Sequence, residues 1–248
     1  MLRRQIAATL SYRADRLQPL RVHAFLTRKP SMIISHKYKF IFLRTEKTAG
    51  TSLTEALAVM LAPDDMIADM SRPGWAKFSP VHHGGLKRKL PQLFGLHVHA
   101  TAAQAKAVIG AAKFNSYLKF AVERNPWDRQ VSLYFQRKNK RGQGDDANFD
   151  RDMKSLLFRS TEYVRLNNWS IYTINNDIVA DEIVRYEDLA GGLEKVFAHV
   201  GLKAALNMPS LRSGFRDDKD YRKHYSDATR ERVARWYKRE IDALGFVF

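Results

Sequence analysis

Apolar and polar positions along the chain follow two rhythms, and their alternation predicts the fold class. The run Tyr38 to Leu43 (YKFIFL) is short, apolar and aromatic with charged flanks, as a buried strand is. From Gly50 to Ala62 the period changes: Leu53, Leu57, Met60 and Leu61 recur at helical spacing until Pro63 stops them. Tyr117 to Val122 is a second strand, and Asn125 with Pro126 suits the cap and first turn of a helix from Trp127 to about Lys138. Glu182 to Tyr186 is a third strand, followed by a helix from about Gly192 to Val200 that Gly201 ends.

Other helices fill the intervals. Thr101 and Gln104 form a capping box for a helix running to about Ala112, and another helix is expected near Arg151 to Arg159. A last helix, Asp227 to Leu244, carries Val233, Trp236, Tyr237, Ile241 and Leu244 on one stripe. Between Pro63 and Val98 the pattern weakens and prolines and glycines predict irregular loop and short helix, while Lys138 to Asp150 reads as a polar, exposed loop. Strands alternating with helices imply a three-layer α/β/α arrangement with a mainly parallel central sheet and a strand, loop and helix like a phosphate loop. For the first thirty residues, Leu2, Ile6, Leu10 and Leu17 at helical spacing predict a helical arm closed by Pro30. The expected division is an arm over 1–32 and a single domain over 33–248.

Charge and composition narrow the partners. Lys and Arg number 42 against 26 Asp and Glu, a formal net charge of +16 over 248 residues. That surplus favours anionic partners without choosing among nucleotide phosphates, acidic glycans, nucleic acid and anionic lipid. There is no cysteine, which excludes disulfides, thiolate metal sites and a thiol nucleophile. At the N-terminus Arg13, Asp15 and Arg16 interrupt any apolar signal region, and no apolar run approaches the roughly 20 residues that span a bilayer. A cytoplasmic protein without a transmembrane segment is expected; peripheral membrane contact is left open, and the oligomeric state is not readable.

Two segments carry chemistry. In Phe40 to Ser52 (FIFLRTEKTAGTS) a lysine, a glycine and hydroxyls lie between a strand and a helix. Gly50 permits close backbone approach, the helix N-terminus offers unpaired N–H donors, and Lys47 supplies a point charge. Thr48, Thr51 and Ser52 add hydroxyls beside Ala49. The order differs from the nucleoside-triphosphate loop, because the lysine precedes the glycine and the loop is shorter. In Phe120 to Ser132 (FAVERNPWDRQVS) a strand ends at Arg124, and Ser132 lies on the next helix. A forked, permanently charged guanidinium and a hydroxyl together suit a terminal phosphate. Arg129 and Trp127 point elsewhere and read as structural.

Taken together, E-K-T-A-G-T-S and R-N-P-W-D-R-x-x-S resemble the sulfotransferases that use 3′-phosphoadenosine 5′-phosphosulfate (PAPS), especially the branch related to carbohydrate sulfotransferases. His99-Ala-Thr-Ala, Val184 to Leu189 and the ending from Tyr225 add to the similarity, which covers about residues 33 to 248. The resemblance implies that Lys47, Thr48, Ala49, Gly50, Thr51 and Ser52 hold the 5′-phosphosulfate and that Arg124 and Ser132 hold the 3′-phosphate. It implies sulfuryl transfer to a carbohydrate or glycolipid hydroxyl, less readily an amine, with 3′-phosphoadenosine 5′-phosphate (PAP) as product, and with no metal and no nucleic-acid partner. Glu46 departs from the branch, which more often has proline there.

For a general base near neutral pH a histidine is well matched, its ordinary pKa being about 6.5. His99 and then His97 are the candidates, as related glycan sulfotransferases use a histidine from a comparable region, and Glu55 is a third. His82 and His83 with His97 and His99 lack the spacing of a known metal motif. Trp75, Trp169 and Tyr172 have aromatic faces for a sugar, though core packing is the commoner use. A nucleotide-dependent kinase would need a different loop order and an acidic metal ligand. A basic nucleic-acid or glycan binder without catalysis is the other alternative, supported by charge alone.

Overall fold

The computed structural model describes residues 30–58, 60–72, 75–80, 99–144, 146–162, 165–202 and 220–248. Most of the predicted N-terminal arm, together with His82, His83 and His97, lies outside them. The described chain builds a six-stranded sheet from β1 (Pro30–Ser35), β2 (Phe40–Leu43), β3 (Met66–Arg72), β4 (Trp75–Pro80), β5 (Leu118–Glu123) and a last strand (Glu182–Arg185), which follows a small β6 (Thr173–Ile174) and β7 (Asp177–Ile178) hairpin and is therefore β8. The order is β4-β3-β1-β2-β5-β8.

β2, β5 and β8 are parallel, with Leu43 opposite Ala121 and Glu123 opposite Arg185. β1, β3 and β4 extend the sheet from β2 by antiparallel pairing. The mainly parallel arrangement expected of the sheet is found in β2, β5 and β8, the half that carries the chemical segments. Two strands of the other half fall in the stretch read as irregular loop, and β1 spans the expected boundary at residue 33.

Both faces are covered at the centre of the sheet, which is why β2 is apolar throughout and does not alternate with polar residues. On one face Ile33, Phe40, Phe42, Phe120 and Val122 meet Leu53 and Leu57 of α1 (Gly50–Ala58). On the other, Met32, Ile34, Ile41, Leu43 and Ala121 meet Ala102 and Ala105 of α2 (Ala102–Ile109) and Phe114 of α3 (Ala111–Ser116). Thr101 and Gln104 close the capping box read from sequence, but one helix becomes two at Gly110, whose φ is 81°. Only glycine adopts that conformation without strain.

Asn125 caps α4 (Pro126–Lys140), accepting from the Trp127 N–H at 3.1 Å. A third apolar cluster joins Trp127, Val131 and Tyr134 of α4 to Phe149 and Met153 of α5 (Phe149–Lys154). The helix expected near Arg151 is thus α5 plus α6 (Leu156–Thr161), separated by Ser155, whose side chain caps the second. After α7 (Trp169–Tyr172) and α8 (Leu189–His199), the final predicted helix is likewise split into α9 (Asp227–Trp236) and α10 (Lys238–Leu244), with Tyr237 between them.

Candidate active site

The loop from Arg44 to Ala49 leaves the carboxyl end of β2 next to the parallel β5, the place where open α/β sheets bind ligands. Thr45 is buried and anchors it, donating to the Val122 carbonyl on β5 and meeting Thr48 Oγ1 at 2.7 Å. Lys47 and Ala49 adopt left-handed φ of 64° and 61°, with Thr48 between them. Alternation of this kind turns successive N–H groups toward one concavity, a nest for an anion. Beyond it, the Leu53 N–H closes the first helical bond on the Ala49 carbonyl at 3.1 Å, so the N–H groups of Gly50, Thr51 and Ser52 precede the helical ladder.

Two sequence expectations change here. The Thr48 hydroxyl faces inward against Thr45, leaving only its backbone to face an anion. Gly50 does permit a close approach, but by Arg44: a Cβ at Gly50 would lie 2.7 Å from Arg44 Nε and 2.8 Å from its Cγ. Arg44 Nη2 donates to Thr51 Oγ1 at 2.9 Å, and burial draws its guanidinium down to about 10 despite Glu46 and Glu55. Glu55 of α1, the third base candidate, is thus near enough to Arg44 to act on its charge.

Arg124 leaves the end of β5 and is held on two sides. Its Nε and Nη2 bond Asp128 Oδ2 at 2.7 and 2.6 Å, and its guanidinium carbon lies 4.3 Å from the centre of the Tyr186 ring. Ser132, half-buried, is one turn beyond Asp128 on the same face of α4. The two segments, far apart in sequence, meet electrostatically. Burial pulls the half-buried Lys47 ammonium down to about 8, with Arg124, Lys140 and Arg137 adding repulsion and Glu46 opposing it. A lysine lowered by neighbouring cations in this way marks a site short of negative charge and suited to an anion. From Arg137 a cleft of about 330 Å³ continues between α4 and the α5–α6 pair, edged by Lys138, Arg141, Tyr134 and Phe158.

A buried scaffold supports this surface. Arg129, fully buried, pairs with Glu123 and at 3.5 Å with Glu240, and lies 4.5 Å from the centre of the Tyr237 ring. Burial acts to lower its guanidinium, yet Glu123, Tyr237 and Glu240 hold it above its ordinary value. The structural role read for Arg129 is what the packing shows. Asn168, which no sequence feature singled out, is fully buried beside it. Its side chain accepts from the Glu46 N–H at 2.9 Å and donates to the Glu46 carbonyl at 3.1 Å and to Glu123 Oε1 at 3.2 Å. A proline at 46 could not make the first bond.

His99 is half-buried immediately before the Thr101 cap and next to Ala100, which packs in the cluster on the sheet face opposite α1. No described contact joins it to Lys47 or Arg124. Tyr172 is fully buried and Trp169 packs against the same core cluster, so both serve the interior and not an open sugar face; Trp75 falls in β4. Among the described residues, no three His, Asp or Glu side chains converge as metal ligands. Arg44, Arg137 and Asn168 escaped the sequence reading because each acts through a neighbour that only folding supplies.

Comparison with known proteins agrees with the geometry. An uncharacterized protein of Archaeoglobus fulgidus is 32% identical over 118 residues, covering 46% of this chain and 91% of that protein. No solved structure matches the chain. A family model described as "Sulfotransferase family" matches residues 30–247, from the first residue of β1 to the last turn of chain beyond α10. With both candidate segments inside that match, the chain belongs to the sulfotransferase family.

Proposed function

We propose that the protein transfers a sulfuryl group from PAPS to a hydroxyl, less readily an amine, of a carbohydrate-type acceptor. The observation that carries the reading is the meeting of Lys47 and Arg124 at the carboxyl ends of adjacent parallel strands, with a left-handed loop between Lys47 and α1. A 3′-phosphate suits Arg124 and Ser132, and a 5′-phosphosulfate suits the N–H groups of the nest and of α1.

In this reading the acceptor oxygen attacks sulfur in line with the 5′-phosphate, its proton passes to a base, and the bond from sulfur to the bridging oxygen breaks. Negative charge grows on that oxygen, so positioning and electrostatics supply most of the rate. Lys47 Nζ meets the growing charge. Backbone donors hold the phosphate still without reorganising. His99 is the proposed base, with His97 the alternative, and the acceptor is proposed as a glycan or glycolipid precursor on the strength of the family resemblance.

Calorimetric titration with PAP, beside ATP and without magnesium, tests the donor. PAP is expected to bind preferentially; equal or weaker binding than ATP would overturn the assignment. Arg124→Ala is expected to weaken PAP binding about tenfold or more, the scale of a lost charged hydrogen bond. Lys47→Ala is expected to lower transfer of labelled sulfate about 100-fold with a smaller effect on PAP affinity. Normal turnover in that variant would remove the lysine from the mechanism.

A further inference from the structure

Asn168 occupies the N-cap position of α7, where an asparagine side chain ordinarily accepts from its own helix. Here it makes no such bond. Its amide turns to the loop instead, and bonds both the N–H and the carbonyl of Glu46 as a neighbouring strand would. The second hydrogen of Nδ2 reaches Glu123 Oε1, which also accepts the Arg124 N–H at 3.1 Å. The orientation of the amide has one solution: turned over, it would set Nδ2 against the Glu46 N–H and Oδ1 against two oxygens.

This side chain therefore connects the residue before Lys47 to the residue before Arg124. Glu46 enters the left-handed turn at Lys47, where small changes in backbone angle swing the lysine. The platform beneath Asn168 is firm, since Ile171 and Tyr172 of α7 are fully buried and the Ile171 N–H bonds the Asn168 carbonyl at 2.9 Å. We infer that Asn168 is a positioning residue for sulfuryl transfer: its buried amide holds the Lys47 loop in register with the Arg124 strand end, so that the 5′ and 3′ halves of the donor site act as one. The inference rests on the donor reading above. A carboxylate at this position lacks the two N–H groups, and an apolar side chain lacks everything the loop needs.

The test separates the two halves of the nucleotide. Affinities for PAP and for adenosine 3′-phosphate, which lacks the 5′ group, are measured by calorimetry on the full chain and on Asn168→Ala. The variant is expected to lose about tenfold or more in PAP affinity, as when a buried hydrogen-bond partner is removed, while adenosine 3′-phosphate binds within about twofold of the parent protein. Labelled-sulfate turnover is expected to fall about 100-fold, as for a displaced reacting group. General loosening of the fold would weaken both ligands together, and unchanged PAP affinity and turnover would leave the amide without its role; either result overturns the inference.

Should Asn168→Ala not fold, Asn168→Asp carries the test. That carboxyl would lie beside Glu123 and Arg129, with Glu46 and Lys47 on the facing loop, and on protonation it regains a donor and an acceptor. Its PAP affinity relative to the parent protein is expected to recover between pH 8 and pH 5.5, and a flat ratio overturns the inference. If the parent protein itself binds PAP no better than adenosine 3′-phosphate, the donor reading fails first, and separately.

Discussion

Lys47 combines a left-handed backbone with two features that both disfavour its charge, partial burial and neighbouring cations. Burial, then Arg124, Lys140 and Arg137, brings its ammonium down from the ordinary 10.5 to about 8. Since the pH dependence of kcat/KM reports groups of the free enzyme, kcat/KM for the donor is expected to fall as pH rises through about 8, and a pH-rate profile checks it. Lys47→Arg should move that limb upward. The effect on stability has the opposite sense. The unfolded chain keeps this proton up to 10.5 whereas the folded chain releases it near 8, so between those values the unfolded state binds more protons and stability rises with pH. Below about 8 the folded state bears the whole penalty, and Lys47→Met is expected to raise the melting temperature at pH 7 while abolishing turnover. A lower melting temperature would show that the loop depends on the charge for its shape.

Among the elements, α2 and α4 begin where their local caps placed them, whereas α1 ends at Ala58, short of the Ala62 that Pro63 marked. Thr101 and Gln104 satisfy each other's backbone donors, so α2 begins at Ala102. Thr101→Ala is expected to cost about 1 kcal/mol in urea denaturation, and because His99 lies two residues earlier, sulfate transfer should drop as well if that histidine is the base. Asn125 and Pro126 start α4 by equally local chemistry, and Arg124 is thereby delivered to its place beside Asp128. The divisions within the predicted helices were harder to see. Gly110 was visible as a residue but not as a break, while α9 and α10 part at Tyr237, whose ring is buried against Arg129 and whose hydroxyl bonds Gln130 Oε1 at 2.7 Å. Tertiary packing made that division, and helical periodicity continues through it unmarked.

For the molecule as a whole, the pairing of Arg129 with Glu123 and Glu240 ties α4, β5 and α10 together beneath the site. Removing the cation leaves two carboxylates buried, and Arg129→Ala is expected to destabilise the fold by about 3–5 kcal/mol in chemical denaturation. The cationic surface above it should make PAP affinity decline with added salt, more steeply than exposed single charges would, and titration at several ionic strengths measures this. The strand, loop and helix around Lys47, the capped helix after Arg124 and the alternation of β2, α1, β5, α4, β8 and α8 were legible in the sequence, because period, caps and residue chemistry are local properties. The antiparallel half of the sheet was not, since short strands such as Pro30–Ser35 acquire their identity from the partner they pair with. Nor was the inward turn of Thr48, the use of Gly50 by Arg44, or the amide of Asn168, 122 residues from the loop it holds. The sequence by itself determined which residues have the chemistry to hold an anion; the tertiary structure decided how each is oriented, because orientation depends on contacts between segments that only the folded chain brings together.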